Sequence, residues 1–287
     1  MSSPLIRFSS CPCCGSRQIS LRWKNVRKSI PRTPEEFHYG GIDFLPDIAE
    51  CNSCGFHFLN EICENEELFY GDANVADYLS LSTQRKKYFL SIKNKIISIH
   101  GGCRNYSRLL DLGCASGDWL NCWPDSEERW GVEVNNEFSE IASGSGINII
   151  RDIMQAPDDC DLISAFDFVE HTINPAETLS LLGMKLSKRG VLIIGVPNMG
   201  KIMSTLLGRR YYLYCPMHYS YFTHNSLKTL LSKIFYTAEI DIFPSPIMHT
   251  SLAGALKWVS YDLSRLVSDK IDFPLGYSAS LIATVRT

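Results

Sequence analysis

No run of the chain approaches the roughly 18 to 20 consecutive apolar residues that a bilayer-crossing helix needs. Positive charge is also in short supply: 28 Lys+Arg stand against 31 Asp+Glu, a formal net charge of -3. Without a bulk positive field to hold the phosphates of a long polyanion, a dedicated nucleic-acid-binding protein is disfavoured. Met1 to Ser10 carry none of the basic, apolar and small-residue blocks of an export signal, so a soluble, cytoplasmic chain is expected. Cysteine is not scarce, but its count of 11 is odd and nothing marks the chain for an oxidising compartment. Metal binding and scattered buried thiols are therefore expected in place of disulfides. Disorder is disfavoured too, because 287 residues at 45% hydrophobic and 21% charged can bury a sizeable core.

Two cysteine clusters, Cys11-Pro-Cys13-Cys14-Gly15 and Cys51-Asn-Ser-Cys54-Gly55, lie in a region of little periodicity, so residues 1–62 read as a small module of their own. Residues 63–104 read as a helical connector: Leu79, Leu90, Ile92, Ile96 and Ile97 mix with Lys86 and Lys87 at three- and four-residue steps, until Gly101-Gly102 break the pattern. From 105 to 287 short apolar runs alternate with helical ones, the signature of an α/β domain. Strands are expected at Arg108 to Leu112, Trp130 to Val134, Ile147 to Ile150, Leu162 to Phe166, Gly190 to Val196, Ala238 to Phe243 and Ala279 to Val285. Most are nearly unbroken in apolar character, as strands buried on both faces should be. Ser251 to Val267 reads as a packed helix, with Leu252, Leu256, Val259, Leu263 and Leu266 at helical spacing.

Two Cys-x-x-Cys-Gly knuckles suit a tetrahedral zinc ion, since the short spacing lets both thiolates of one turn reach the same metal while the glycine permits tight curvature. Cys11, Cys14, Cys51 and Cys54 are the expected ligands and Cys13 the spare. A redox motif would need one such pair after a strand, not two symmetric knuckles. His38 and His57 lie nearby in sequence, but four thiolates complete the shell. The zinc would be structural, because a closed site leaves no position for substrate.

Leu109-Leu-Asp111-Leu-Gly113-Cys114-Ala-Ser-Gly117-Asp118 reads as strand, glycine turn and helix, a place where backbone comes close to a ligand at the carboxyl edge of a sheet. A dinucleotide turn would want glycines where Ala115 and Asp118 stand, which weakens an NAD-dependent oxidoreductase. Asp111 and Asp118 flank the turn with negative charge, which repels phosphate and suits a cation such as a sulfonium bearing an amino group. Glu133 ends the next strand 20 residues beyond Gly113, where a carboxylate can take both hydroxyls of a ribose. Asp152, after the third strand, is placed to accept from an adenine amino group.

On these residues the stretch from Leu109 to Val196 resembles the class I S-adenosylmethionine-dependent methyltransferases, together with Phe166-Asp167-Phe-Val-Glu170-His171 and Asn174-Pro175. More closely, residues 11 to 243 resemble a bacterial group with an N-terminal cysteine-knuckle module, Val196-Pro197-Asn198, and Met217-His218-Tyr-Ser-Tyr-Phe222-Thr-His-Asn-Ser-Leu227. The resemblance implies a Rossmann-like seven-stranded sheet with its last strand antiparallel. It implies S-adenosyl-L-methionine held by Asp111, Gly113, Cys114, Gly117, Glu133, Asp152, Phe166 and Asp167. It also implies a sugar of a surface polysaccharide, or a secondary metabolite, as the methyl acceptor. The chain departs from the group at Cys114-Ala-Ser116, where relatives commonly carry a further glycine.

A sulfonium is already an activated leaving group, so the remaining chemistry is to align an acceptor, exclude water and remove a hydroxyl proton. Histidine suits the last task. The expected base or acceptor clamp is His218 or His171. Tyr211, Tyr212 and Tyr214, with Arg209 and Arg210, could line an acceptor pocket. The alternatives are an RNA or protein methyltransferase that docks through the cysteine module, and the oxidoreductase.

Overall fold

The computed structural model describes residues 5–24, 47–63, 75–100, 106–200, 213–214, 217–246, 250–251, 272–273 and 280–287. The cysteine-bearing half supplies β1 (Leu5–Arg7), β2 (Ile19–Trp23), β3 (Ile48–Cys51), β4 (His57–Leu59) and β5 (Glu61–Cys63). Helices α1 (Val75–Ser80) and α2 (Ser82–Ile99) follow. Beyond them come β6 (Arg108–Leu112), β7 (Glu128–Val132), α3 (Asn136–Gly144), β8 (Asn148–Ile150), β9 (Cys160–Phe166), α4 (Pro175–Lys185) and β10 (Leu186–Pro197). The chain then forms β11 (Ser220–Tyr221), α5 (His224–Ile234), β12 (Glu239–Pro244), β13 (Thr250–Ser251), β14 (Asp272–Phe273) and β15 (Ser280–Arg286).

Seven of these strands make one sheet in the order β12-β15-β10-β9-β6-β7-β8. All run parallel except β15, which pairs antiparallel with both β10 and β12. This is the methyltransferase type of α/β sheet that the apolar runs and the resemblance led us to expect. Strand alternation sends Leu110, Ile163, Leu192, Ile194 and Ala283 into one core and Leu109, Leu162, Val191, Ile193 and Ile282 into another. Each fully buried Leu or Ile contributes roughly 1.5–3 kcal/mol. The second core is closed by Phe89, Ile92 and Ile96 of α2 together with Trp119 and Trp123.

Two expectations need correction. The helix foreseen after the glycine turn is only a single 3-10 turn, Leu120–Cys122. Pro124 lies too close for an α-helix to propagate, and Trp119 and Trp123 are drawn into the core. The second strand runs Glu128–Val132, two residues earlier than its apolar run, and Val134 is exposed. The helix expected at Ser251 to Val267 lies outside the described residues apart from Ser251, which closes β13. Among the described residues no helix is long and apolar enough to cross a membrane.

The cysteine half is joined to the large sheet by hydrogen bonds and by a common core. A four-stranded sheet has the order β11-β4-β3-β2, so the first half and the chain beyond residue 217 share one ladder. Ser220 pairs with Phe58 and Tyr221 with His57, and Leu59 N–H donates to the Tyr219 carbonyl at 3.0 Å. Cys11, Cys13, Phe56 and Phe58 lie in the same core as Phe222, Leu227 and Leu230.

Candidate active site

Strand order reverses direction at β6 and β9, and the loops leaving their carboxyl ends frame a cleft, the usual ligand position of an open α/β sheet. In the glycine turn Gly113 has φ +75° and Gly117 φ +79°, and a Cβ at Gly117 would collide with the Ile147 side chain. A Cβ at Gly113 would stand 2.6 Å from the Phe168 ring, so the loop after β9 packs directly on the turn. Ala115 takes φ +44°, which costs an L-residue roughly 1–2 kcal/mol, and it lies within Cys114-Ala-Ser116, the stretch where the sequence departs from the group it resembles. Ala115→Gly is accordingly expected to stabilise the fold by about 0.5–1 kcal/mol after the entropy cost of glycine, a rise in Tm of roughly 1–3 °C. An unchanged or lower Tm would contradict that reading of the turn. Cys114 packs its side chain against Gly131, where any side chain would collide with its sulfur.

Glu133 is the anchor of the cleft. Its Oε2 accepts from Ala115 N–H at 2.9 Å and its Oε1 from Asn135 N–H at 2.7 Å. Each oxygen keeps a lone pair for a further donor. Asp111 lies buried on β6, where Ser164 Oγ donates to its Oδ1 at 2.6 Å. Burial pushes its carboxyl up to about 7, against the Ser164 hydrogen bond and with help from the Glu133 charge. Asp118, by contrast, does not offer free negative charge: Arg85 of α2 donates to its Oδ2 at 2.6 Å and Ser82 Oγ also reaches it. Asp152 caps the 3-10 turn Ile153–Gln155, accepting from Met154 N–H at 2.9 Å. Phe166, half-buried, packs its ring on Phe89 and Trp119 at centroid distances of 5.1 and 5.0 Å, which ties the end of β9 to the second core. Asp167 follows at φ +49°, its N–H on the Gly195 carbonyl.

Two exposed apolar residues that sequence reasoning passed over follow these carboxylates in the chain. Val134 and Met154, one residue past Glu133 and two past Asp152, are 60% and 64% exposed. Exposed apolar groups beside hydrogen-bonding carboxylates suit the faces of a planar base. Their signal was positional, one or two residues beyond a polar strand end, and apolar periodicity does not register it.

The two candidate histidines, 47 residues apart in sequence, do come together, with ring centroids 4.8 Å apart at 74°. His171 ends the 3-10 turn Val169–His171 after β9 and donates from Nδ1 to the Met217 carbonyl at 2.8 Å. His218 is buried and its Nδ1 meets the Leu213 carbonyl at 2.9 Å. Burial lowers the pKa of His171 to about 4 and, with the neighbouring His171, that of His218 to about 3, so both rings are neutral. Glu170, also buried, lies beside them, its Oε1 3.9 Å from His171 Nε2. Burial and the nearby Asp167 hold its carboxyl well above the carboxylate range. Glu170 was legible as the residue next to His171, but no role had been attached to it. Tyr214 packs on Trp23 and Tyr221 in a core. Tyr211, Tyr212, Arg209 and Arg210 lie outside the described residues.

The four expected cysteines gather into one cluster whose sulfurs lie within 4.8 Å of one another. Cys11 and Cys54 sulfurs are 3.8 Å apart and those of Cys14 and Cys51 3.5 Å, against about 3.8 Å across a tetrahedral zinc with 2.3 Å bonds. Both knuckles repeat one geometry: Gly15 N–H on the Cys11 carbonyl and Gly55 N–H on the Cys51 carbonyl, each at 2.8 Å, with both glycines at positive φ. Hydrogen bonds led by Cys13 lower the Cys11 thiol to about 5. Cys13 itself turns to the Ser226 carbonyl of α5. His57 is engaged with Glu50 instead of the cluster, and His38 lies outside the described residues.

Residues 78–234 match the family model described as a methyltransferase domain. Solved structures share the fold. The plantazolicin methyltransferase BpumL, in complex with a triazolic desmethylPZN analog and SAH, is 18% identical with a TM-score of 0.50 over 75% of this chain and 88% of that one. A chain of the Haloferax volcanii complex between the Trm112 methyltransferase activator and a candidate methyltransferase is 11% identical with a TM-score of 0.51 over 75% and 98%. An S-adenosylmethionine-dependent methyltransferase from Archaeoglobus fulgidus is 19% identical with a TM-score of 0.49 over 73% and 99%. The comparison with curated proteins finds no match.

Proposed function

The chain belongs to the methyltransferase-domain family and is an S-adenosylmethionine-dependent methyltransferase; on that premise we propose that its acceptor is a hydroxyl of a small, sugar-like molecule. The observation that carries this reading is the recessed histidine pair. His218 is 3% exposed and Glu170 1%, which suits an acceptor small enough to be enclosed better than RNA or a folded protein lying across a surface. Polar groups in such a recess suit hydroxyls.

S-adenosylmethionine brings a methyl group on a sulfonium that leaves as S-adenosylhomocysteine. In our reading Glu133 takes the ribose hydroxyls, and Asp111 faces the amino group of the methionine end. Gly113, Cys114 and Gly117 let the backbone approach. Asp152 offers its second oxygen to the adenine, with Val134 and Met154 on the ring faces, while Phe166 and Asp167 shape the cleft floor. His171 and His218 orient the acceptor. Residues 1–62 form the module that holds a structural Zn2+ on Cys11, Cys14, Cys51 and Cys54, residues 63–104 the helical connector, and residues 105–287 the cofactor-binding domain.

The direct experiment incubates the protein with methyl-labelled S-adenosylmethionine and a panel of sugars, sugar nucleotides, RNA and protein. Label in the sugar fraction is expected; label confined to macromolecules would overturn the acceptor class. Asp111 adds a pH signature. A cationic amino group beside it favours the ionised carboxylate, so binding below pH about 7 expels one proton. The affinity for S-adenosylhomocysteine should therefore rise roughly tenfold per pH unit up to about 7 and level off above it. Asp111→Asn should flatten this profile. A pH-independent affinity in the parent protein, measured by calorimetry, would remove Asp111 from the contact.

A further inference from the structure

The acceptor wall contains more than an orienting pair of rings. A carbonyl oxygen can only accept, so the contacts of His171 Nδ1 with Met217 and of His218 Nδ1 with Leu213 place the proton on Nδ1 in both rings and the lone pair on Nε2. A backbone carbonyl on Nδ1 is also what fixes the orientation of metal-bound histidines. Glu170 Oε1 lies 3.9 Å from His171 Nε2. One ligand atom from each of Glu170, His171 and His218 falls within 4.8 Å of the other two.

Both Glu170 oxygens are buried, and neither has a hydrogen-bond partner among the described residues. Burying an unpaired polar group costs several kcal/mol, and such an orphan asks for a cause. A cation supplies one. The same wall is braced from two sides, by Tyr219 N–H on the Glu170 carbonyl at 2.8 Å and by the pairing of β11 with β4.

We propose that Glu170, His171 and His218 hold a divalent transition ion, zinc foremost, at the acceptor end of the cleft. Two imidazoles and a carboxylate with one position left open are the ligand set of catalytic zinc. Magnesium and calcium, which prefer oxygen shells, do not match it. Bonds of about 2.0–2.1 Å would bring the ligand atoms to roughly 3.3 Å from one another, a contraction that rotation of one carboxylate and two rings supplies. The role of the ion rests on the acceptor reading above: its open position takes the acceptor oxygen and polarises the hydroxyl. The existence of the site does not depend on that reading.

The probe is Co2+ added to the full-length protein with zinc already on the cysteine cluster. Cobalt bound by nitrogen and oxygen gives visible bands without the charge-transfer absorption of thiolate ligands. One equivalent of such Co2+ is expected. Glu170→Gln, which matches the buried side chain in size and shape, should weaken it by at least about 100-fold, and His218→Gln likewise. Absence of the band at one equivalent, or a band unchanged in Glu170→Gln at parental Tm, would overturn the proposal. Calorimetry with S-adenosylhomocysteine on the same samples separates the two readings. Cofactor binding without the ion leaves methyl transfer standing and removes the site; an ion without cofactor affinity does the reverse.

Discussion

Cys51→Ser, or removal of metal from the four-cysteine cluster by a chelator, is expected to abolish turnover while leaving the affinity for S-adenosylhomocysteine within a few-fold of the parent. The reason is the path of the chain. Cys51 closes β3 and Cys54 leads through Phe56 into β4, whose residues His57 and Phe58 pair with Tyr221 and Ser220 of β11. His218 stands two residues before that strand. Cys13 and Lys233 add contacts across the same seam, the first to the Ser226 carbonyl and the second donating to the Cys14 carbonyl. Loosening the cluster therefore loosens the acceptor wall. The cofactor cleft is held by the ladder of β6 to β8 and the hydrogen bonds of Glu133, and it shares with the module only the core in which Leu110, Leu112 and Val132 lie with Cys11, Cys51 and Phe58. Structural zinc contributes about 10–16 kcal/mol in isolated finger peptides, so its loss should loosen β2 to β4 and lower Tm by more than about 10 °C. Equal losses in turnover and in cofactor affinity would show that the module supports the whole domain and not the wall. An unchanged Tm after complete demetallation would remove the structural zinc itself.

The cysteine knuckles and the seven strands were legible in the sequence because each has a local cause. Parallel strands covered on both faces need unbroken apolar runs, and two thiolates need a short turn to share an ion. What could not be read was local chemistry with a distant partner. β11 is two residues long and carries no pattern of its own; it exists because β4 offers an open edge to Ser220 and Tyr221. Asp118 looked like free charge beside the glycine turn, and only the folded chain brings Arg85 to it from 33 residues away. Phe166 was expected beside the cofactor from its place at the end of β9, and only the folded chain shows that its ring also packs on Phe89 and Trp119. The β7 boundary failed for a related reason. Apolar character marked Val134, whereas the ladder begins at Glu128, whose carboxylate accepts from Arg108 Nε at 2.8 Å across the first pair.

Glu133→Ala is expected to weaken S-adenosylhomocysteine binding by about 100- to 1000-fold. Two backbone N–H groups, Ala115 at 2.9 Å and Asn135 at 2.7 Å, hold the two carboxylate oxygens in place before any ligand arrives. The side chain is nearly buried, so little rotamer freedom is left to lose on binding. Hydrogen bonds to a charged group contribute roughly 1.5–3 kcal/mol each, and the adjacent hydroxyls of a ribose supply two donors. Their joint loss, 3 kcal/mol at the low end, corresponds to more than 100-fold at about 1.4 kcal/mol per decade. Truncation also strands the Ala115 and Asn135 N–H groups, so some of the loss could come from a relaxed turn. The 2′-deoxy analogue of the ligand distinguishes the two. The parent should bind it at least tenfold more weakly than S-adenosylhomocysteine, whereas Glu133→Ala should scarcely discriminate, because the group that reads the hydroxyl is gone. Equal discrimination in both proteins would place the ribose elsewhere and leave Glu133 as a brace of the glycine turn alone.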